Sequence, residues 1–335
     1  MKTLRKILFP FSLIYDIVTS IRNFLYDKNI LKSTSFNVPI IAVGNLSVGG
    51  TGKTPMVEYL IRLLSNNYKI ATLSRGYKRK SEGFLLANAS TKMEEIGDEP
   101  FQYHSKFKNI DVAVDVNRVE GVTEILKLKP ETSVVLLDDA FQHRKIKAGF
   151  YIMLTAYNDL FYNDLLLPAG NLRESKRGVK RADVVVVTKC PEHLSDNEIQ
   201  KIKSEIAVDS KRIFFTTIKY DSKITNTIST LSLNEIEDNF IAVAGIAKPE
   251  YFYKYLNCSL ENCLTFPDHH DFTSKDIALI LQKAGNKKMV TTEKDYMRLA
   301  PFIAKEQLYY LPIAIDFLQN KDDFNQTVTD FIAQN

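Results

Sequence analysis

The feature that most constrains the fold of this chain is a glycine-rich run at residues 44–54, Gly-Asn-Leu-Ser-Val-Gly-Gly-Thr-Gly-Lys-Thr. It follows an apolar run at 38–43 and precedes a pattern typical of a helix at 55–64. In such a loop, glycine amides turn inward around phosphate oxygens, while the helix N-terminus and a lysine add positive charge. The sequence therefore predicts a phosphate-binding loop. Its predicted contact residues are Gly49, Gly50, Thr51, Gly52, Lys53 and Thr54.

One position departs from the usual pattern G-x-x-x-x-G-K-[ST], because Ser47 replaces its first glycine. Two adjacent aspartates, Asp138 and Asp139, directly follow the apolar run 134–137. A nucleotide site needs a carboxylate for Mg²⁺ at the end of a neighbouring strand, and these residues supply it. Together with the hydroxyl of Thr54, they predict a nucleotide bound with Mg²⁺.

Two classes of nucleotide-binding protein lose support from nearby residues. GTPases read guanine with Asn-Lys-x-Asp, and the nearest candidate, residues 188–191, reads Thr-Lys-Cys-Pro without the aspartate. ATPases that partition cargo or deliver metal have a lysine just before the Gly-Gly pair, where this chain has Val48. A kinase remains, and these motifs leave its acceptor open.

Beyond the loop, short β-branched runs alternate with helical periodicity, which predicts a parallel sheet with crossover helices. The runs at 134–137 and 184–187 are continuously apolar, as expected of strands buried on both faces. We predict an α/β fold of the phosphate-loop NTPase type, with a mostly parallel sheet and helices on both faces. The predicted strands are 38–43, 69–74, 111–114, 134–137, 151–154, 184–188 and 213–217.

The stretch 220–239 is polar and lacks a long apolar run, so we expect a domain boundary there. A smaller α/β unit follows. Its predicted strands are 240–244, 288–292 and 308–315. Capping-box patterns at 195–198 and 273–276 indicate helix starts, and Gly285 is typical of a C-terminal cap. The predicted organisation is an amphipathic helix at 1–35, a phosphate-loop domain at 36–225 and a smaller C-terminal domain at 226–335 that closes over the substrate.

The net charge of +4 is concentrated at the N-terminus. Residues 1–35 contain six basic and two acidic side chains, and the remaining 300 residues contain 38 of each sign. A nucleic-acid-binding protein more commonly spreads basic patches over its body, so we expect no nucleic acid partner. Average hydrophobic and charged fractions, 45% and 25%, exclude disorder and a polytopic membrane protein. Three cysteines are too few for a disulfide framework and favour the cytoplasm.

Residues 4–25 carry apolar side chains at spacings of three and four, which predicts an amphipathic helix. Its uncharged run at 7–15 is far shorter than the ~20 residues of a membrane span. Two interpretations follow from these residues alone. Either the apolar face packs on the protein core, or it lies in a bilayer surface with Lys and Arg near anionic head groups.

Further motifs occur in order along residues 40–300 and, with the phosphate loop, resemble the lipid A 4′-kinase (tetraacyldisaccharide 4′-kinase) family. The resemblance includes the non-glycine at Ser47, and it departs at Ala140, where the family usually has glycine. The other motifs are Leu-Ser-Arg-Gly-Tyr at 73–77, Gly-Asp-Glu-Pro at 97–100, Leu-Asp-Asp-Ala-Phe-Gln-His-Arg at 137–144, Leu-Pro-Ala-Gly-Asn-Leu-Arg-Glu at 167–174, Gly-Ile-Ala-Lys-Pro at 245–249, Phe-Pro-Asp-His-His at 266–270 and Thr-Thr-Glu-Lys-Asp at 291–295.

The resemblance implies a kinase that transfers the γ-phosphate of ATP to the 4′-hydroxyl of a tetraacyl glucosamine disaccharide 1-phosphate in lipopolysaccharide biosynthesis. Because such a lipid stays in the bilayer, the resemblance also favours membrane docking by residues 1–35. We therefore expect a monomeric, monotopic protein, peripheral at the cytoplasmic face of the inner membrane, with ATP and Mg²⁺ as cofactors.

The resemblance also implies roles for individual residues. A sugar hydroxyl loses its proton as the bond to phosphorus forms, so a carboxylate base is expected, and Asp98 is the candidate, although an acidic pair beside proline also marks helix starts. His269, in preference to His270, is the candidate that orients this base. The candidate Mg²⁺ ligands are Thr54, Asp138, Asp139 and Glu174. The candidate substrate contacts are Arg75, Arg118, Gln142, His143 and Arg173. The candidates for domain closure are Lys248, Lys294 and Asp295.

Overall fold

The computed structural model describes residues 5–236, 239–268 and 270–335, which form two compact units. The larger unit comprises Met1–Ile96, Lys106–Ile218 and Ile315–Asn335, and the smaller unit comprises Gly97–Ser105 and Lys219–Ala314. The C-terminal helix therefore belongs to the larger unit, whereas the segment with Asp98 belongs to the smaller one. The three predicted domain ranges, and the closure of the third over a substrate, stay predictions.

The secondary structure alternates strands and helices along most of the chain. The strands are β1 (Ile40–Asn45), β2 (Ile70–Ser74), β3 (Leu85–Leu86), β4 (Asp111–Val114), β5 (Val134–Asp138), β6 (Phe150–Ala156), β7 (Val184–Thr188), β8 (Ile213–Tyr220), β9 (Lys223–Thr225), β10 (Thr230–Ser232), β11 (Phe240–Ala244), β12 (Cys263–Thr265), β13 (Lys288–Thr292), β14 (Leu308–Leu311) and β15 (Ile313–Phe317). The helices are α1 (Phe9–Asp27), α2 (Lys53–Leu64), α3 (Met93–Ile96), α4 (Asp98–Lys106), α5 (Arg118–Leu128), α6 (Asp196–Glu205), α7 (Glu250–Tyr255), α8 (Ser274–Ala284), α9 (Glu293–Leu299) and α10 (Lys321–Ala333).

The larger unit is built on a mostly parallel sheet with the strand order β15-β8-β7-β6-β1-β5-β2-β4-β3. The strands from β8 to β4 pair in parallel, and β3 pairs antiparallel with β4. Strands β5 and β7 are buried along their whole length, as their continuous apolar runs predicted. All seven strands predicted for this part of the chain are confirmed.

Helices cover both faces of this sheet: α5 and α6 pack on one face, and Phe324 of α10 contacts the ring of Phe214 of β8 on the other. Helix α5 buries Val122 and Ile125 in a hydrophobic cluster with residues of β1, β2, β4 and β5. Helix α6 buries Ile199 and Ile202 in a second cluster with residues of β6, β7 and β8. The predicted capping box at the start of α6 is confirmed, because the Ser195 side chain accepts a hydrogen bond from the amide of the third helical residue.

The smaller unit has a six-stranded sheet in the order β10-β9-β14-β13-β11-β12. Strands β12, β11, β13 and β14 are parallel, and β9 pairs antiparallel with β10 and β14. The predicted cap residues of α8, Thr273 at its start and Gly285 at its end, are confirmed. The single strand predicted at 308–315 is wrong: it divides at Pro312, which has no N–H group to continue a ladder, and β14 and β15 join different sheets.

Three motifs of the family resemblance meet inside the smaller unit. The amide of Gly245 donates to Oδ2 of Asp295 at 2.8 Å, and the Thr292 hydroxyl donates to the same oxygen at 2.8 Å. A Cβ atom on Gly245 would lie 3.1 Å from Oδ1 of Asp295 and 3.3 Å from the carbonyl oxygen of Pro267. The glycine is therefore required by close packing between motifs that are distant in sequence.

Helix α1 turns its polar side toward the protein. Ser12 and Thr19 are buried, while Ile17 and Val18 have 59% and 61% of their surface exposed. The exposed apolar residues of this segment are Ile7, Leu8, Phe9, Phe11, Leu13, Ile14, Ile17, Val18, Ile21 and Phe24. The interpretation in which the apolar face packs on the core is therefore wrong. In the part of the chain that the structure describes, no helix is long and apolar enough to cross a membrane.

Candidate nucleotide-binding site and catalytic residues

The predicted phosphate loop connects β1 to α2, which begins at Lys53. Gly49 and Gly52 have left-handed backbone angles, with φ of +117° and +85°, which side-chain-bearing residues rarely adopt. Gly52 is the N-cap residue of α2, so the helix starts where the loop ends. This geometry places the N-terminus of α2, with its partial positive charge, at the loop, as anion binding requires.

Side chains from neighbouring strands hold the loop in place. The side-chain amide of Asn45 donates to the Thr51 hydroxyl at 2.8 Å. The Thr188 hydroxyl at the end of β7 donates to the carbonyl oxygen of Thr51 at 2.7 Å, and Nζ of Lys189 donates to the carbonyl oxygen of Gly50 at 2.7 Å. Sequence reasoning missed all three supporting residues, although Asn45 lies within the motif itself.

The first half of the loop pairs with the segment 171–173. The amide of Val48 donates to the carbonyl oxygen of Asn171 at 2.8 Å, and the amide of Arg173 donates to the carbonyl oxygen of Leu46 at 2.7 Å. Ser47 forms a β-bridge with Leu172. A residue in extended pairing needs no glycine, which explains why serine is accepted at this position.

Asp138 ends β5, next to β1 in the sheet, so its carboxylate lies at the carboxyl edge beside the phosphate loop. The Ser74 hydroxyl, at the end of β2, donates to Oδ2 of Asp138 at 3.4 Å. The guanidinium of Arg118 donates to its carbonyl oxygen at 3.3 Å. The predicted juxtaposition of loop and aspartate is therefore present.

Asp139 lies against the loop lysine. Its Oδ1 is 3.6 Å from Nζ of Lys53, and Arg173 donates to both carboxylate oxygens, at 2.7 and 3.1 Å. Burial alone would raise the pKa of Asp139, but the hydrogen bond from Arg173 and the charges of Lys53 and Arg173 lower it well below its usual range. The carboxylate is therefore ionised at pH 7.

The turn after these aspartates explains the departure at Ala140. The residue with left-handed backbone is Asp139, at φ +50°, one position earlier. Ala140 is buried and donates its amide to the carbonyl oxygen of Val43 at 3.2 Å. Because Ala140 is not the left-handed residue of the turn, alanine fits where the family usually has glycine.

Glu174 is fully buried, with 0% of its surface exposed. Its Oε1 accepts from Gln142 at 2.9 Å and from Arg181 at 2.8 Å, and its Oε2 accepts from Asn23 of α1 at 2.7 Å. Throughout the described ranges, no group of three or more His, Cys, Asp and Glu side chains is arranged to hold a metal ion. The metal-ligand role of Glu174 stays a prediction, and in this structure protein donors occupy both of its oxygens.

The other predicted substrate contacts lie near these aspartates. Burial lowers the pKa of Arg118 to about 10, against the charges of Asp138 and Asp139. Burial and the charge of Arg118 lower the pKa of His143 to about 4, so this imidazole is neutral at pH 7. Arg75 is exposed and lines an open cavity of about 360 Å³. The cavity is lined by Arg75, Gly76, Tyr77, Lys78, Arg79, Ser81, Glu82, Gly83 and Val116.

In the smaller unit, Asp98 is the first residue of α4 and its carboxylate accepts from the guanidinium of Arg298. Arg298 is 6% exposed and also donates to the carbonyl oxygen of His270 at 3.1 Å. His269 lies outside the described residues. Nε2 of His270 lies 3.0 Å from Oδ2 of Asp276, which places His270 at the start of α8. Sequence reasoning missed Arg298, three residues beyond the last motif.

The closure candidates have different environments. Asp295 holds Gly245 and is fully buried, which raises its pKa. Burial lowers the pKa of Lys294, against the opposing charges of Glu99 and Asp268. These contacts give Asp295 a packing role inside the smaller unit, and the role of Lys294 and Lys248 in closure stays a prediction.

A buried parallel strand, a glycine-bearing loop, a lysine at the first residue of the following helix and two aspartates at the end of the adjacent strand define a phosphate-loop nucleotide-binding protein. The model of the tetraacyldisaccharide-1-P 4′-kinase family matches residues 4–333, and the chain belongs to that family.

Relatives and a solved structure agree with this membership. The chain is 54% identical to a tetraacyldisaccharide 4′-kinase of Flavobacterium johnsoniae, over 100% of this chain and 99% of the relative. It is 43% identical to a tetraacyldisaccharide 4′-kinase of Bacteroides thetaiotaomicron, over 99% and 94%. A crystal structure of LpxK from Aquifex aeolicus in complex with ATP superposes with a TM-score of 0.80 at 31% identity, covering 98% of this chain and 99% of that one.

Proposed function

We propose that this chain is an ATP-dependent kinase that transfers the γ-phosphate to the 4′-hydroxyl of a tetraacyl glucosamine disaccharide 1-phosphate, a step in lipid A biosynthesis. The observation that carries the proposal is the phosphate loop, with Lys53 beside Asp139, in a chain that matches a 4′-kinase family over nearly its whole length. A kinase of another envelope sugar lipid is the alternative, and it would differ in its acceptor.

The donor atoms at the loop fit a nucleotide with Mg²⁺. The hydroxyl of Thr54 and the carboxylates of Asp138 and Asp139 are oxygen ligands of the type that Mg²⁺ prefers, with water and phosphate oxygens completing its shell. A bound Mg²⁺ would neutralise charge on the phosphates. Lys53 would hold the terminal phosphates, and the amides of residues 49–52 would bind their oxygens. Glu174 would reach a metal only after exchanging some of its present donors.

The acceptor hydroxyl needs a base, and we keep Asp98 in that role. Its contact with Arg298 fixes the direction of the carboxylate, and a carboxylate within reach of the hydroxyl can accept its proton. His269 remains the candidate that supports it. Asp98→Asn preserves shape but cannot take the proton, so turnover should fall by about a hundredfold or more with nucleotide affinity unchanged. Equal losses in turnover and nucleotide affinity would contradict the base role.

The exposed apolar face of α1 supports the proposal that the substrate is a lipid held in a bilayer. An apolar strip of this extent on the surface of a protein marks an interaction site. Exposed basic residues of the same segment, Lys28 and Lys32, suit the anionic head groups of a membrane surface. We propose that the protein is peripheral and lies on the cytoplasmic face of the inner membrane. There, α1 would bring the nucleotide-binding site to a lipid that cannot leave the bilayer.

Purified full-length chain, radiolabelled ATP and tetraacyl disaccharide 1-phosphate in detergent micelles test the proposal. The expected result is a Mg²⁺-dependent labelled lipid whose new phosphate is on the 4′-oxygen. Lys53→Ala is the matched control for contaminating kinases. Label on another sugar lipid but not on this acceptor would establish the alternative kinase, and nucleotide binding without labelled lipid would overturn the kinase assignment.

A further inference from the structure

Helix α1 contacts the residues that support the phosphate loop, although its apolar face points away from them. We propose that Asn23 and Glu174 are positioning residues that transmit the seating of α1 to the phosphate loop, so that nucleotide affinity depends on how this helix is docked. This inference concerns nucleotide binding by the chain itself. It rests on the proposed function only in assuming that the bound nucleotide serves the lipid kinase reaction.

The first step is the contact between α1 and Glu174. Asn23 donates its side-chain amide to Oε2 of Glu174 at 2.7 Å, across 151 residues of sequence. A carboxylate with no exposed surface needs every donor it has, because an incompletely paired buried charge is costly. Asn23 supplies the donor to Oε2, whereas Gln142 and Arg181 both bind Oε1.

The second step leads from Glu174 to the loop. Nε2 of Gln142 lies between Oε1 of Glu174, at 2.9 Å, and the carbonyl oxygen of Asn45, at 2.8 Å. The Asn45 side chain in turn donates to the Thr51 hydroxyl at 2.8 Å, inside the phosphate loop. A continuous series of hydrogen bonds therefore joins the membrane-facing helix to the residues that surround the phosphates.

A parallel contact involves the residue before Glu174. The Tyr15 hydroxyl donates to the carbonyl oxygen of Arg173 at 2.9 Å. The Arg173 guanidinium binds both oxygens of Asp139 and also the side chain of Asn45. Helix α1 thus fixes the backbone of Arg173 and the side chain of Glu174 together, and both of these lead to Asn45.

The geometry separates the two faces of α1. Asn23 and Tyr15 lie on the strip that faces the protein, whereas Ile14, Ile17 and Val18 are exposed. Asn23→Ala removes the contact with Glu174 without changing the exposed apolar residues or the net charge. Nucleotide binding and vesicle binding can therefore be measured as separate properties of the same helix.

The test uses the full chain carrying Asn23→Ala, with Ser20→Ala as the matched control. Ser20 is exposed on the same helix, and its hydroxyl donates to Oδ1 of Asp16, which also belongs to α1. We expect Asn23→Ala to weaken ADP binding by at least about fivefold, with and without Mg²⁺, which is the lower end of typical coupling between sites. Binding to vesicles with anionic lipid should stay unchanged, and Ser20→Ala should match the wild type in both measurements. Asn23→Asp, which opposes Glu174 with a like charge, should weaken ADP binding further.

Two results would overturn the inference: wild-type ADP affinity in Asn23→Ala, whether or not its melting temperature falls, or a loss of affinity seen only with Mg²⁺. The last would mean that Glu174 acts on the metal and not through the loop. If Asn23→Ala fails to fold, Tyr15→Phe replaces it, because only the hydroxyl contact with Arg173 is removed, and the same results decide. ADP binding is measured without lipid, so failure of the lipid kinase assay leaves this test intact.

Discussion

Helices α1 and α2 are both amphipathic, yet they turn opposite faces to the protein. In α2, Leu60 and Leu64 have no exposed surface, and the apolar side packs inward. In α1, Ser12 and Thr19 are buried and Ile17 is exposed. The difference shows that hydrophobic periodicity identifies the two faces of a helix, while the surface beneath the helix decides which of them is buried.

The surfaces beneath the two helices explain the difference. Helix α2 is the crossover between β1 and β2, so it covers an apolar sheet. Helix α1 lies on the segment 166–173, where carbonyl oxygens need donors: Ser12 donates to Leu166 at 2.9 Å, and Tyr15 donates to Arg173 at 2.9 Å. A helix that satisfies backbone acceptors must present polar side chains to them, and its apolar side is left for another partner.

The largest expected effect is at the N-terminus of α2, where the buried helix meets the nucleotide. Lys53→Ala should lower turnover by about 10²–10³-fold, because a preorganised charge on the transferring phosphate is lost. The melting temperature should change little, since Lys53 lies in a loop-to-helix junction outside the hydrophobic clusters. Initial rates at saturating ATP measure the effect, and near-normal turnover would contradict the phosphate-loop assignment.

The comparison itself is tested by matched truncations in the two helices. Leu60→Ala should lower the free energy of unfolding by about 2–5 kcal/mol, because it leaves a cavity in a packed core. Ile17→Ala should change it by no more than about 0.5 kcal/mol, because an exposed side chain loses no packing. Urea denaturation of both variants measures the difference, and similar losses would show that α1 buries its apolar face after all.

A smaller effect concerns salt. If the basic residues of the N-terminal segment contribute to membrane attachment, co-sedimentation with anionic vesicles should weaken as ionic strength rises from about 0.01 to 0.15 M, because the screening length falls from about 30 to about 8 Å. Binding should persist in part at the higher salt, since the apolar face is unaffected. If vesicle binding did not depend on salt, the basic residues would make no electrostatic contribution to membrane attachment.

The smallest expected effect is the pH dependence of stability that comes from His143. This residue is part of the polar site beside α2, and the exposed strip of α1 has no counterpart to it. The pKa of His143 is lowered from 6.5 to about 4 in the folded protein. Between these pH values the unfolded chain binds a proton at His143 and the folded chain does not. Its contribution therefore makes the folded state less stable as pH falls from about 6.5 to about 4, and has no effect above that window. In His143→Gln the free energy of unfolding should fall less between pH 7 and pH 5 than it does in the wild type. Urea denaturation at the two pH values measures this difference. An equal fall in both proteins would contradict the lowered pKa.

The part of the site that could be predicted from sequence is the part built by local geometry. The run ending in Lys53 and Thr54 and the aspartates at the end of β5 are contiguous motifs, and adjacent parallel strands bring them together. Arg298 and Asn23 could not be predicted, because their partners are distant in sequence. Asn45 is different, because its partner Thr51 lies in the same motif. The burial of the polar side of α1 could not be predicted either, since it depends on carbonyl oxygens of the segment 166–173.

The central claim is that the kinase reaches its lipid through the outward face of α1. The most direct test compares one variant with the wild type on the same acceptor, presented either in vesicles or in detergent micelles. Ile14→Ser, Ile17→Ser and Val18→Ser together remove part of the exposed strip and leave the contacts of Asn23 and Tyr15 intact. Burying one such side chain stabilises by about 1.5–3 kcal/mol, and each 1.4 kcal/mol is tenfold. Phosphate transfer to acceptor in anionic vesicles should therefore fall at least about tenfold, while transfer to acceptor in detergent micelles stays at the wild-type rate. Equal rates for variant and wild type on vesicles, or equal losses on both forms, would contradict a kinase that reaches its lipid through the outward face of α1.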